Sequence, residues 1–411
     1  MAMVKKINIE KPMPRVGHIA AAFGKYMVIW GGYSDQSSSD HYMRQDEIWV
    51  FDSEIKKWHL KRTTGEAPHG TSGACGVIAE QFLYIMFGHN DLGNTSDVYR
   101  IGFHDYKWEQ VSFTSATSPA PRDKLTAWIY GNKIFTFGGY GVPLNGFLND
   151  HGDYFLDSTT VPTGYCRGWN NQTTTFDPRT SLWSNPACSG NIPPPRAAHA
   201  TALLMDHAYL FGGRFNEDRL NDLYSLHLPS LVWTKLHCQY EVPVGRSWHS
   251  FNSVYDTGTL LMLFGGYSHT GEPLGDTWLL NLADMTWNNI TPSHCDCPHS
   301  TESDASVRLW HTAVNGSDGD VLIFGGCRGD ILDWSIPDVH TNDVCIFRCW
   351  PRSLRNITLD AVYSYKGLLE SEWSSLPRSL SNKLYIRDAE TYTDQLSTNT
   401  HNENTTTCSI V

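Results

Sequence analysis

Charge is scarce in this sequence. Only 18% of its 411 residues are Asp, Glu, Lys or Arg, and 31 basic residues are outnumbered by 43 acidic ones. A formal net charge of −12 supplies no basic field of the kind a general nucleic-acid or anionic-membrane binder needs, so neither partner is expected. Long apolar runs are missing as well. No stretch approaches a membrane span, and the opening MAMVKKINIEKP has no apolar core for a secretory signal. A nuclear and/or cytoplasmic location is expected. HExxH, GxSxG and a Walker loop are absent, so no intrinsic enzyme activity and no cofactor are expected. The ten cysteines lack regular spacing and read as reduced thiols. The cluster His294-Cys295-Asp296-Cys297-Pro298-His299 offers zinc-ligand types. Its two cysteines stand one residue apart in a loop, however, and no metal is expected there.

What the chain does have is glycine in pairs after short apolar runs: VIWGG (Gly31-Gly32), FTFGG (Gly138-Gly139), YLFGG (Gly212-Gly213), MLFGG (Gly265-Gly266) and LIFGG (Gly325-Gly326). A sixth, degenerate copy stands at Phe87-Gly88-His89. The spacing of about fifty residues is the kelch period, in which one repeat makes one four-stranded blade. The expectation is an all-β, six-bladed kelch β-propeller over 14–350, after an N-terminal segment 1–13. The closing residues Trp58, Trp108, Trp183, Trp233 and Trp287 suit wedges between blades. An acidic residue beyond each Gly pair reads as a turn or backbone partner.

Repeat three is swollen by more than thirty residues, Gly141 to Asn171. Its aromatics (Phe147, Tyr154, Phe155, Tyr165, Trp169) favour an ordered flap over a propeller face, with a disordered insertion as the alternative. After Phe347, apolar residues at Leu354, Ile357, Ala361, Val362, Tyr365, Leu368, Leu369 and Trp373 fall at helical spacing. The spacing predicts a helical extension over 351–387. The Thr-, Asn- and Ser-rich tail 388–411 is expected to be disordered.

Arg-x-x-His recurs in four repeats, at Arg15/His18, Arg196/His199, Arg246/His249 and Arg308/His311. Recurrence in equivalent places marks framework, so function is sought where the repeat is broken. The residue after each Gly pair is Tyr33, Tyr140, Arg214, Tyr267 or Cys327, and Arg214 is the outlier. Arg219 follows in the same loop. With Ser247 from the next repeat, and Lys124 and Tyr140 from repeat three, these residues would line a cationic, aromatic-walled cavity suited to a carboxylate or phosphate. The two arginines read equally well as surface charges, one of them paired with Glu217 or Asp218.

The segments PRDKL, FGGYG, RGWN, PRAAHA, FGGR, GRSWHS and RLWHTA resemble the kelch-domain-containing protein 1/2 family from residue 14 to about 384. That family resembles the substrate receptors of cullin-RING ubiquitin ligases, which read protein C-termini ending in Gly-Gly or similar small residues. By position, the resemblance implies Arg214, Arg219 and Ser247 as carboxylate-binding residues, with Lys124, Tyr140, Trp169 and Trp248 lining the pocket. Ser353, Leu354, Thr358 and Val362 resemble an elongin-binding box, and Leu376, Pro377 and Leu380 a cullin-2 box. The implied partners are elongin B and elongin C, cullin-2 with its RING subunit, and substrates with small-residue C-termini. Thr358 stands where the elongin box usually has Cys. The rival reading is a plain interaction scaffold for cytoskeletal or transcription factors. The terminal Cys408-Ser409-Ile410-Val411 formally satisfies a prenylation box and a PDZ-type ligand, both short enough to arise by chance.

Overall fold

The computed structural model of the protein describes residues 11–34, 41–113, 118–143, 154–163, 166–254, 258–290, 307–316, 319–333, 339–348 and 354–385. Ser353, the cluster at 294–299, Phe147, Tyr165 and the tail 388–411 lie outside them. Each repeat folds into one antiparallel blade. Blade one runs Ile19–Phe23, Tyr26–Trp30, Glu47–Asp52 and Lys57–Arg62, neighbours in sequence pairing in order. Blades two to five are built alike, starting at Cys75, Thr126, Ala200 and Ser250. Blade six has three described strands, Thr312–Asn315, Asp320–Phe324 and Val344–Arg348. The second strand of each blade is the apolar run before the Gly pair. It is buried because sheets press on both of its faces.

The closing tryptophans do wedge between blades, and always at the same place. Trp58 meets Phe324, Trp108 meets Trp30, Trp183 meets Phe87, Trp233 meets Phe137 and Trp287 meets Phe211, with ring centroids 4.9–5.5 Å apart. Each target is the residue just before the glycines of the preceding blade. One period therefore encodes both wedge and socket.

The Arg-x-x-His residues are the framework their recurrence implies. Arg15, Arg196, Arg246 and Arg308 are buried and donate from Nη1 to the carbonyl of the first glycine in their own blade, at 2.9–3.2 Å. The acidic residue beyond the glycines is more than a turn partner. Asp222 and Asp276 form bidentate pairs with Arg196 and Arg246 at 2.6–2.9 Å. The histidines reach the preceding blade from Nε2: His18 to Thr312 Oγ1 (2.6 Å), His199 to Thr126 Oγ1 (3.0 Å), His311 to Ser250 Oγ (3.0 Å) and His249 to the Phe211 carbonyl (3.1 Å). The His18–Thr312 bond joins the first blade to the last. Burial holds all four imidazoles neutral, with His199 and His311 pushed down to about 3.

Around the axis runs a closed ring of six backbone hydrogen bonds. The N–H groups of Gly17, Gly73, Lys124, Ala198, Trp248 and Trp310 each donate to the carbonyl of the corresponding residue in the blade before, at 2.7–3.2 Å. All six residues have φ between +54° and +64°. A left-handed backbone is cheap for Gly17 and Gly73 but costs Lys124, Trp248 and Trp310 of order 1–3 kcal/mol each. Those three bulky residues are where the ring departs from small side chains.

The C-terminal helices form a second compact unit. The expected helical extension is present as several short segments. An α-helix spans Leu354–Ser364, a short turn Lys366–Leu369, a 3-10 segment Glu370–Ser375 and a last helix 378–385. Trp373 is 1% exposed, between Tyr363 and Tyr385 at 6.3 and 5.5 Å.

Candidate functional site

In blade four the second and third strands, His207–Phe215 and Asp218–His227, continue past the Gly pair and close over Asn216-Glu217. A bulge between Phe211 and Gly213 bends the hairpin there. Gly213 sits at φ +101°, and a Cβ on it would lie 2.8 Å from the His199 Cβ and 2.9 Å from the Ala197 carbonyl. Only glycine lets the strand make this turn.

The register places Arg214 directly opposite Arg219. Like charges facing across a pair destabilise a hairpin, and no carboxylate of the described residues forms an ion pair with either. The pairing of either arginine with Glu217 or Asp218 is not formed. Arg214 Nε donates instead to the Asn216 carbonyl at 2.8 Å. Arg219 Nε donates to Ser247 Oγ at 3.2 Å, and its guanidinium lies 4.4 Å from the centre of the Tyr267 ring. Burial first, and the Arg214 charge second, hold the Arg219 pKa below the usual arginine value. Ser247 is 0% exposed on the short strand Arg246–Ser247, paired through its backbone with Tyr267. Its hydroxyl accepts from Arg219 and keeps its own proton to donate.

Trp248 stacks on Trp310 at 5.5 Å and meets the Tyr267 edge at 6.1 Å. Lys124 extends over Trp310, Nζ 5.5 Å from the ring, while bonding Asp123 Oδ2 at 2.6 Å. Its charge is thus shared with a buried carboxylate, leaving further N–H donors for a carbonyl. An axial channel of about 250 Å³ runs beneath, lined by Lys124, Trp248, Trp310 and the framework histidines. Arg214, Arg219 and Ser247 are not among its lining residues; Tyr267, which meets both Trp248 and Arg219, links the channel wall to the arginine hairpin.

The insertion in repeat three is ordered in its described parts. Its strands Gly168–Asn170 and Tyr154–Leu156 join Tyr140–Gly141 and Arg122–Asp123 in a separate small sheet. Tyr140 pairs with Trp169, their rings 5.2 Å apart, and Tyr140 Oη donates to Asp157 Oδ2 at 2.9 Å. Burial, helped by this bond, raises the Tyr140 phenol. Burial alone would raise Asp157, but bonds from Thr159 and Tyr140 and the Arg214 charge outweigh it and hold the carboxyl low. Arg167 lies 4.5 Å from the Tyr140 ring. Sequence reasoning missed Arg167 and Asp157, since an insertion has no counterpart in other repeats. It also left Tyr267 as a ring position without a role. Repeat comparison puts Tyr267 just after the neighbouring Gly pair, and that was the signal available.

On the C-terminal unit, Leu354 is 83% exposed, and Ile357, Leu368 and Pro377 are also exposed, while Val362, Leu376 and Leu380 are half-buried. Thr358 bonds back to the Leu354 carbonyl at 2.6 Å.

Comparison with known proteins agrees with this architecture. The KLHDC2/KLHL20/DRC7 Kelch-repeats domain matches residues 3–139 and 157–351, leaving out much of the insertion. Kelch domain-containing protein 2 of Bos taurus is 35% identical over 92% of this chain and 91% of its own length. Kelch domain-containing protein 1 of Homo sapiens is 35% identical over 89% and 88%. Among solved structures, that of YjhT superposes with a TM-score of 0.59 at 18% identity, over 82% of this chain and 96% of its own, a likeness of fold. With blades, framework residues and helical extension in place, the chain belongs to the kelch-repeat family of Kelch domain-containing proteins 1 and 2.

Proposed function

We propose that this kelch-propeller protein is the non-catalytic substrate receptor of an elongin–cullin-2 RING ubiquitin ligase, capturing the C-terminal carboxylate of proteins that end in Gly-Gly or similar small residues. The observation that carries the reading is the pair Arg214 and Arg219, opposed across one hairpin with no carboxylate ion-paired to either among the described residues, beside the buried Ser247 hydroxyl. A bound carboxylate removes the like-charge cost and accepts bidentate, charge-assisted bonds. Capture of a terminal carboxylate by such donors is an established mode of peptide recognition. Trp248, Tyr140 and Trp169 narrow the approach, favouring residues without a Cβ. Lys124, beside the Trp310 ring, would hold a peptide carbonyl. In a protein of net charge −12, two partly buried arginines side by side would attract an incoming anion locally.

The exposed Leu354 and Ile357, with Leu376, Pro377 and Leu380 beyond, present the apolar side chains that elongin C and cullin-2 would cover, in the nucleus or cytoplasm. Fluorescence polarisation tests the receptor reading. A labelled peptide ending in Gly-Gly binds, the same peptide amidated does not, and Arg214→Ala abolishes the difference. Equal binding of the two peptides by the wild type would favour a plain scaffold. Co-purification with elongin B and elongin C, lost in Leu354→Asp, tests the adaptor half separately.

A further inference from the structure

The small sheet beside the arginine hairpin carries a line of side chains that runs well beyond the carboxylate site. Its strands lie in the order Arg122–Asp123, Tyr140–Gly141, Gly168–Asn170, Tyr154–Leu156. The pairing puts Asp123, Tyr140, Trp169 and Phe155 directly opposite one another, so all four share one face. The line begins at the axis, where Asp123 holds Lys124, and ends at Phe155, which is 49% exposed. Ring contacts are continuous along it: Tyr140 to Trp169 at 5.2 Å, Trp169 to Phe215 at 5.8 Å, and Phe215 to Phe155 at 4.8 Å with planes 65° apart. Phe215 directly follows Arg214. Trp169 at the centre is buried and explained by packing, but Phe155 is not. An aromatic ring half in water, fixed edge to face by a neighbour, is anchor geometry with one face still to be covered.

We propose that Phe155 and Phe215 form a subsite for an apolar side chain of the captured peptide, upstream of its terminal pair. This rests on the reading that the arginine pair takes the carboxylate, and it names the substrate class further. Phe155 lies two strands from Tyr140, about 10 Å at the usual strand spacing, and an extended peptide covers that in about three residues. With the terminal pair beside Tyr140, the favoured side chain is the fifth from the C-terminus. The hairpin tip carries the exposed Glu217 and Asp218, which disfavour an acidic side chain at the same place.

The test is a set of ten-residue peptides with free C-termini ending in Gly-Gly, identical except for Phe, Leu, Ser or Asp at the fifth position from the end. They compete against a labelled Gly-Gly peptide on the full chain. The Phe and Leu peptides are expected to bind about three- to ten-fold more tightly than the Ser peptide, as one aromatic contact implies, with Asp weakest. Phe155→Ser brings the Phe-to-Ser ratio close to one. A flat series in the wild type, at the fifth position and at its neighbours on either side, overturns the subsite and leaves carboxylate capture standing. If no peptide binds and amidation makes no difference, both fall. The wild-type series decides without relying on the folding of any variant.

Discussion

Arg219→Ala separates carboxylate capture from wall-building. In the free protein this guanidinium is half-buried, donates to Ser247 Oγ at 3.2 Å and lies 4.4 Å from the Tyr267 ring centre. Facing a peptide carboxylate it would make two charge-assisted hydrogen bonds. At the lower end of about 1.5–3 kcal/mol each, because the group is not fully desolvated, their loss costs about 3 kcal/mol, or roughly a hundredfold in Kd. Arg219→Lys keeps the charge and loses the planar fork, so it is expected to lose about tenfold. Folding stability changes little. Removing the guanidinium forfeits a cation–π contact of about 0.5–1 kcal/mol but relieves the repulsion from Arg214 across the hairpin. Polarisation titrations with free-acid and amidated peptides, alongside thermal melts, give all three quantities. The expected pattern is a large loss for the free acid, none for the amide and an unmoved melting temperature. If Arg219→Ala weakens both peptides by the same factor, the residue shapes a wall and the electrostatic reasoning is wrong.

Two further outcomes follow from the framework. The four buried histidines have pKa values depressed from 6.5, His199 and His311 to about 3, so below pH 6.5 the unfolded chain takes up protons that the folded chain refuses. Stability is therefore full above pH 6.5 and falls as pH drops toward 3, by about 1 kcal/mol per histidine at pH 5.5. Urea denaturation at pH 7.5 and 5.5 measures the slope, which His199→Gln should reduce; a pH-independent midpoint would contradict the burial of these rings. Gly213→Ala forces a Cβ against His199 at φ +101° and is expected to lower stability by more than 2 kcal/mol. Gly131→Asn, at φ +55° with nothing within 4 Å of the new Cβ, should leave the melting temperature unchanged, and equal effects of the two would show that backbone strain is not the cause.

The sequence by itself determined the propeller. Gly pairs, closing tryptophans and buried arginines recur because the contacts they make are the same in every blade, and a contact repeated with the period is visible as a period. It also isolated Arg214, since a cation where other repeats carry Tyr is a departure that alignment of the repeats exposes. Tertiary structure alone decided that Arg214 faces Arg219, that Asp123 shares the charge of Lys124, and that Asp123, Tyr140, Trp169 and Phe155 form one line. Those relations depend on register and on an insertion with no counterpart in the other repeats. The burial of Trp373 within the C-terminal extension belongs with them, because helical spacing is a local signal and burial is not. Ring closure is the most distant such relation: the bond from His18 to Thr312 spans 294 residues. No local pattern carries that bond, and with it each blade gains a neighbour on both faces.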